Sequence, residues 1–165
     1  MELQKALQTA LDFEKKGQHI YEEEAEKTKN PFVRRVFTYL AEQEENHIRE
    51  INDFIKKHHP DAHLSGDRQE EVKQFFTMTL KEFTDRVKAS KEDLAAYETG
   101  LELERSAYNF YKEECEYATD EKVKDFFSFL MHQESAHYTL IRNAYDYIKD
   151  PANFHMEEEG WMFEG

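Results

Sequence analysis

The chain has 165 residues, of which 39% are hydrophobic and 35% are charged, and its formal net charge at pH 7 is −14. This length suits one domain with a proper core, and only 5 Gly and 3 Pro favour long helices over a turn-rich all-β fold. The acidic balance excludes nucleic acid and anionic membrane as expected partners, because both require concentrated Lys and Arg.

The first half of the chain predicts a helical hairpin. Apolar residues recur at three- and four-residue steps over about 2–28 and again over about 32–58. Asn30 and Pro31 supply a stop and a restart between the two segments. Because this turn is short, the two helices are expected to pack antiparallel over residues 1–58.

The second half predicts another hairpin of the same kind. Its first helix begins after Ser90, a predicted N-cap with Asp93 three residues later, and runs to about residue 118. The next helix follows after a short cap and stops at Pro151. A second antiparallel hairpin is therefore expected over residues 90–150.

The two hairpins are joined by residues 59–89, which contain one or two short predicted helices. Such a long crossover suits a ferritin-like bundle better than a simple up-down-up-down bundle. The sequence therefore predicts an all-α, ferritin-like four-helix bundle over residues 1–150. The acidic and aromatic tail, 151–165, is expected either to fold back over the bundle or to dock on a partner.

The location is predicted from what the sequence lacks. No stretch approaches the roughly 18 apolar residues of a membrane span, and the N-terminus has no long apolar run typical of a signal peptide. Cys115 is the single cysteine, so no disulfide can form within the chain. We therefore expect a protein of the reducing cytoplasm.

The sequence repeats itself at an offset of 90 residues, since LAEQEENHIREI at 40–51 aligns without a gap on LMHQESAHYTLI at 130–141. The offset pairs Glu14 with Glu104, Tyr21 with Tyr111, Glu24 with Glu114, Phe37 with Phe127, Gln43 with Gln133, Glu44 with Glu134 and His47 with His137. The two hairpins are therefore copies of one unit, and they share their core-facing polar residues.

These shared residues have the spacing of metal ligands. Glu44 and His47 lie about one turn apart on one helix face, as do their counterparts, so each pair can reach one ion. Glu14 and Glu104 lie on the inward stripes of the first and third long helices. Two divalent cations would neutralise the four buried carboxylates. Carboxylate and imidazole without thiolate favour iron or manganese over structural zinc.

With these residues, the chain resembles the ferritin-like di-iron carboxylate superfamily and, within it, the rubrerythrin-like branch. The resemblance rests on one Glu from each of two helices plus two Glu-x-x-His motifs, and it covers essentially residues 1–150. The phrases LDFEKKGQHIYEEEA and DPANF…EEEGWMFEG also resemble short rubrerythrin-like proteins that have no rubredoxin domain.

The resemblance implies a homodimer with two iron ions per chain, although manganese or zinc in place of iron is left open. It implies six ligands: Glu44 and Glu134 as bridges, Glu14 and His47 as terminal ligands of one iron, and Glu104 and His137 as terminal ligands of the other. It also implies reduction of hydrogen peroxide or dioxygen by the di-ferrous site. A separate electron-donor protein, such as a rubredoxin, would then reduce the di-ferric product.

Two departures from the family pattern bear on activity. Rubrerythrins usually carry a rubredoxin domain with Cys pairs, whereas this chain has only Cys115, so the electron donor must be a separate protein. Rubrerythrins also carry an extra carboxylate about one turn after the ligand of the third long helix, which is Glu104 here. At that position this chain has Ser106 and Ala107. The second departure weakens the case for a redox-linked carboxylate switch and for efficient peroxidase activity.

Other interpretations of these residues stay open at this stage. Tyr21 and Tyr111 lie two turns after Glu14 and Glu104. Their hydroxyls are expected either to act as catalytic groups beside the metals or to form hydrogen bonds within ordinary core packing. Two other functions also fit the ligand pattern. One is an iron-handling protein with ferroxidase chemistry, and the other is a non-enzymatic binding module that metals merely stabilise.

Overall fold

The computed structural model describes residues 2–57, 68–83 and 90–156, and all regular secondary structure in these ranges is helical. The elements are α1 Glu2–Lys27, α2 Pro31–Lys57, α3 Arg68–Glu82, α4 Lys91–Tyr117 and α5 Glu121–Lys149, followed by a 3-10 turn at Pro151–Asn153. The predicted all-α class is confirmed, and the four long helices end within about two residues of their predicted bounds. No described helix combines the length and the apolar character that a membrane span needs.

The turn between α1 and α2 is fixed by side chains that satisfy free backbone groups. The Asn30 carboxamide oxygen accepts hydrogen bonds from the first amides of α2, and Pro31 takes the first helical position. At the other side of the turn, Arg34 donates to the carbonyl of Thr28 at 2.6 Å. The sequence signal Asn30-Pro31 therefore marks the helix boundary as predicted.

Side chains also cap the N-termini of both helices in the second hairpin. Ser90 and Asp93 form a reciprocal capping box at the start of α4, which confirms the predicted N-cap. Asp120 caps α5 with its carboxylate. The Thr28 hydroxyl also donates to Asp93 at 2.7 Å, so the turn of the first hairpin is tied to the start of the second.

The four long helices pack as two hairpins, α1 on α2 and α4 on α5, with α1 also against α4 and α2 against α5. Two apolar clusters fill the space between them. One lies around Phe37, Leu40 and Ile141, and the other lies around Leu7 and Phe126. On each long helix the two clusters occupy opposite ends of the buried stripe, which leaves a layer of polar side chains between them.

The crossover helix α3 and the start of the tail close one end of the bundle. The ring of Phe76 in α3 packs edge-on against Phe32 and against Phe154, with centroid distances of 6.3 and 5.9 Å. Phe154 also packs against Tyr147 of α5 at 5.5 Å. The described part of the tail, up to Met156, thus folds back on the bundle. Residues 58–67, 84–89 and 157–165, which complete the predicted crossover and tail, lie outside the described residues.

Candidate metal centre

The polar layer between the apolar clusters contains every metal ligand predicted from the sequence. The relative exposure of these side chains is Glu14 1%, Glu44 3%, His47 0%, Glu104 2%, Glu134 1% and His137 0%. Acidic side chains are rarely buried to this extent unless they are paired or bind a metal. Their burial is therefore the first indication that the layer has a specific role.

Besides a three-residue group of Glu44, His47 and His137, the ligand atoms form two overlapping groups of four residues, and within each group they all lie within 4.8 Å of one another. One group contains Glu14, Glu44, His47 and Glu134, and the other contains Glu44, Glu104, Glu134 and His137. Glu44 and Glu134 belong to both groups. The structure thus brings all six predicted residues together, and their arrangement is suited to two ions that share two carboxylates.

His47 sits among the carboxylates of the first group. Its Nδ1 atom lies 3.0 Å from Glu14 Oε1 and 3.5 Å from Glu134 Oε2. Its Nε2 atom points the other way and lies 3.3 Å from the carboxamide oxygen of Gln133. Nδ1 is therefore the nitrogen that can bind a metal, while Nε2 can carry the proton and donate a hydrogen bond to Gln133.

His137 has fewer partners in the second group. Its Nδ1 atom lies 3.7 Å from Glu44 Oε2 and 3.7 Å from Glu104 Oε1, too far for hydrogen bonds. Within the described residues, neither ring nitrogen of His137 has a hydrogen-bond partner, nor do Glu104 Oε1 and Glu134 Oε2. Buried polar atoms without partners cost about 1–3 kcal/mol each. A cation in this layer would bind these oxygens and the imidazole nitrogen, so the residues fit a metal.

Two buried tyrosines link the two halves of the layer. The Tyr21 hydroxyl donates to Glu104 Oε2 at 2.6 Å, and the Tyr111 hydroxyl donates to Glu14 Oε2 at 2.5 Å. Each tyrosine thus binds a carboxylate of the opposite hairpin. Gly100 lies beside the Tyr21 ring, and a Cβ atom at this glycine would come within 3.1 Å of Ile141 Cδ1, so the glycine permits close packing there. The hydroxyls fix one oxygen of each carboxylate and leave the other oxygen to face the layer.

The four carboxylates differ in protonation. Burial raises the pKa of Glu44 and Glu134 well above the usual value, and the neighbouring carboxylates raise it further. Burial alone would also raise the pKa of Glu14, but the nearby His47 ring and several hydrogen bonds outweigh burial and lower this pKa to about 2. The pKa of Glu104 is lowered as well, because hydrogen bonds and His137 outweigh its burial. Glu44 and Glu134 therefore hold a proton more readily than Glu14 and Glu104 do, and a metal that binds them would displace any such proton.

The imidazole of His47 is also perturbed. Burial alone would lower its pKa, but the negative charges of Glu14 and Glu50 and the hydrogen bonds to Glu14 and Gln133 raise it above the usual value. The protonated ring is thus favoured in the folded chain while metal is absent. Metal binding to Nδ1 requires the neutral ring, so it would release this proton too.

Replacing Tyr111 with Phe is expected to destabilise the metal-free protein by about 1–3 kcal/mol, because Glu14 loses a buried hydrogen-bond donor. Tyr97→Phe is the matched control, since Tyr97 is equally buried but its hydroxyl has no hydrogen-bond partner among the described residues. That variant should keep or slightly increase the free energy of unfolding. Urea unfolding of both variants measures the difference, and equal losses would contradict a specific role for the Tyr111 hydroxyl.

Sequence reasoning missed a role for two residues that support the layer. Gln133 was paired with Gln43 by the 90-residue offset, but nothing in the sequence indicated that Gln133 would contact His47. Gly100 gave no signal, because a helical glycine has many explanations until its neighbours are known. Both act through contacts that only the packed helices create.

A four-helix bundle with four carboxylates and two imidazoles in its buried layer defines the class of ferritin-like carboxylate proteins. The family model described as Rubrerythrin matches residues 5–145 of this chain. The chain therefore belongs to the rubrerythrin family, a ferritin-like di-iron family. No curated protein and no solved structure matches the chain.

Proposed function

We propose that this protein binds two iron ions in the polar layer and reduces hydrogen peroxide or dioxygen there. The observation that carries the proposal is the pair of overlapping ligand groups that share Glu44 and Glu134. Glu14 and His47 would complete the binding of one ion, and Glu104 and His137 would complete the binding of the other. Two ferrous ions supply two electrons together, the number needed to reduce one peroxide molecule to water.

The protein contributes position, charge and exclusion of water. Tyr21 and Tyr111 hold the outer oxygens of Glu104 and Glu14, so that their other oxygens face the layer. The apolar clusters on both sides keep the layer almost fully buried. A small neutral oxidant suits such a layer better than a large or charged substrate, because it needs no open cleft and loses little hydration on entry.

The electrons would come from outside the chain. Cys115 is the single cysteine among these 165 residues and is partly buried beside the second apolar cluster, whereas a rubredoxin centre needs a set of cysteines. The proposal therefore includes a separate donor protein, such as a rubredoxin. It also includes a homodimer, as the family resemblance implies, and a location in the cytoplasm, as expected from the single cysteine.

A second candidate function is ferroxidase chemistry in iron handling, with dioxygen as the oxidant. The observation that favours it is Ala107, one turn after Glu104, which is buried and offers no carboxylate to the layer. Without a carboxylate at this position, the layer is less able to exchange one carboxylate ligand for another when the metals change their oxidation state. Manganese or zinc in the same ligands remains a further alternative for the metal.

Anaerobic loading with ferrous iron, followed by rapid mixing with hydrogen peroxide or with dioxygen, tests these functions. The readouts are the iron content per chain and the rise in ferric absorbance. About two irons per chain and faster oxidation by peroxide would support the first function, whereas faster oxidation by dioxygen would support the second. Bound iron that neither oxidant oxidises would indicate a metal-stabilised binding module. A chain that binds no iron would contradict the proposal.

A further inference from the structure

The two halves of the polar layer are not equivalent, although the repeat makes their ligands identical. We call Glu14 and His47 the His47 half, and Glu104 and His137 the His137 half. The repeat pairs Gln133 with Gln43. Gln133 is buried, and its carboxamide oxygen lies 3.3 Å from His47 Nε2. Gln43 is only half-buried and lines an open groove between α2 and α3.

This difference decides which imidazole is held ready for a metal. When Nδ1 binds a metal, the ring proton must sit on Nε2 and needs an acceptor. For His47 that acceptor is Gln133, whereas Nε2 of His137 has no hydrogen-bond partner within the ranges that the structure covers. An acceptor on the outer nitrogen fixes the tautomer and the ring orientation and makes the ligand more basic.

Two further observations point the same way. The distance from His47 Nδ1 to Glu14 Oε1 is 3.0 Å, whereas the distance from His137 Nδ1 to Glu104 Oε1 is 3.7 Å, so the His47 half is more tightly assembled. The residue three positions after His47 is the acid Glu50, whereas the repeat places the apolar Leu140 after His137. The His47 half therefore has more negative charge nearby to attract a cation.

We propose that the two halves bind metal in order, with the His47 half taking the first and more tightly held ion. Gln133 is the positioning residue that creates the difference, and Gln43 has no corresponding role. The inference rests on the proposed function to the extent that the same six ligands hold the metals. It adds an unequal pair of sites where the duplicated sequence suggests an equal pair.

Titration of the metal-free protein with Co²⁺ alone tests this order, because Co²⁺ binding can be followed by calorimetry and by visible absorbance. The intact chain should show two binding steps that differ at least about tenfold in affinity, and Gln133→Met should weaken the first step about 10–100-fold. The matched variant Gln43→Met should leave both steps unchanged. Gln133→Glu keeps an acceptor for His47 Nε2 and should restore the first step.

The outcomes separate this inference from the proposed function. Two ions bound with equal affinity, or equal effects of the two Met variants, would overturn the order of binding and leave the two-metal function in place. A chain that binds fewer than two ions would overturn both. A purely structural role for Gln133 would give a different result for Gln133→Met. The metal-free melting temperature would fall, but the ratio of the two binding constants and the Co²⁺ spectrum would stay as in the intact chain. That result would also refute the positioning role.

Discussion

Glu44→Ala and Glu134→Ala should each prevent the chain from holding two metal ions. Each of these carboxylates belongs to both ligand groups, so its loss removes a ligand from both ions at once. The remaining carboxylates would also lose the bridge that lets two cations lie close together. Iron bound per chain, measured after gel filtration of protein loaded without oxygen, should fall from about two to one or none.

Two other variants make this prediction specific. Glu14→Ala removes a ligand from one group only, so it should leave one ion bound. His132→Ala should leave both ions, because His132 is exposed and its Nδ1 atom contacts the backbone carbonyl of Ser128. Equal iron contents in the Glu44, Glu134 and His132 variants would refute the assignment of the shared ligands.

The metal-free protein should lose stability as the pH rises from about 5 to 8. Glu44 and Glu134 have raised pKa values in the folded chain, so above about pH 4.3 the folded state holds protons that the unfolded state has released. His47, whose pKa is also raised, adds to this loss above about pH 6.5. Each group can remove up to about 1.4 kcal/mol of stability per pH unit, until the pH passes its folded pKa.

Bound metal should reverse this trend, because the ligands bind cations in their deprotonated forms. The difference in melting temperature between Co²⁺-loaded and metal-free protein should therefore widen with pH. Below about pH 4.3 the sign changes, since Glu14 and Glu104 have lowered pKa values and stabilise the fold only while they are ionised. Metal-free stability should thus be greatest near pH 4 to 5, by this reasoning.

Melting curves between pH 4 and 8, with and without Co²⁺, measure both trends. The double variant Glu44→Gln with Glu134→Gln is the control, because its amides cannot ionise. It should melt higher than the intact chain at pH 8 without metal, and it should gain little from Co²⁺. A metal-free melting temperature that stays level or rises between pH 5 and 8 would contradict the protonation assigned to the shared carboxylates.

Much of the fold could be predicted because local signals agreed with one another. Asn30-Pro31 and the Ser90-Asp93 capping box mark helix ends by chemistry that acts within a few residues. The 90-residue offset then related the two hairpins and identified the six candidate ligands as one set. These inferences needed only spacing along the chain, so the sequence was sufficient for them.

The rest depends on distances between helices. The sequence places Tyr21 two turns after Glu14, but the hydroxyl binds Glu104 of the other hairpin. The sequence also makes Gln43 and Gln133 equivalent, whereas only Gln133 contacts a histidine. Their side chains differ in surroundings: Gln43 faces the groove beside α3, whereas Gln133 is buried within the bundle. Such differences arise from packing, which the repeat alone does not encode.

The polar layer also has a consequence for the connection between the two copies of the repeat. Each four-residue ligand group draws on both hairpins, and each tyrosine hydroxyl crosses from one hairpin to the other. Neither hairpin alone carries a complete ligand group, so a cation would bind across the interface between the docked hairpins. A bound cation would therefore act as a crosslink between the two copies, and its release would weaken the interface between the copies more than the packing within either one.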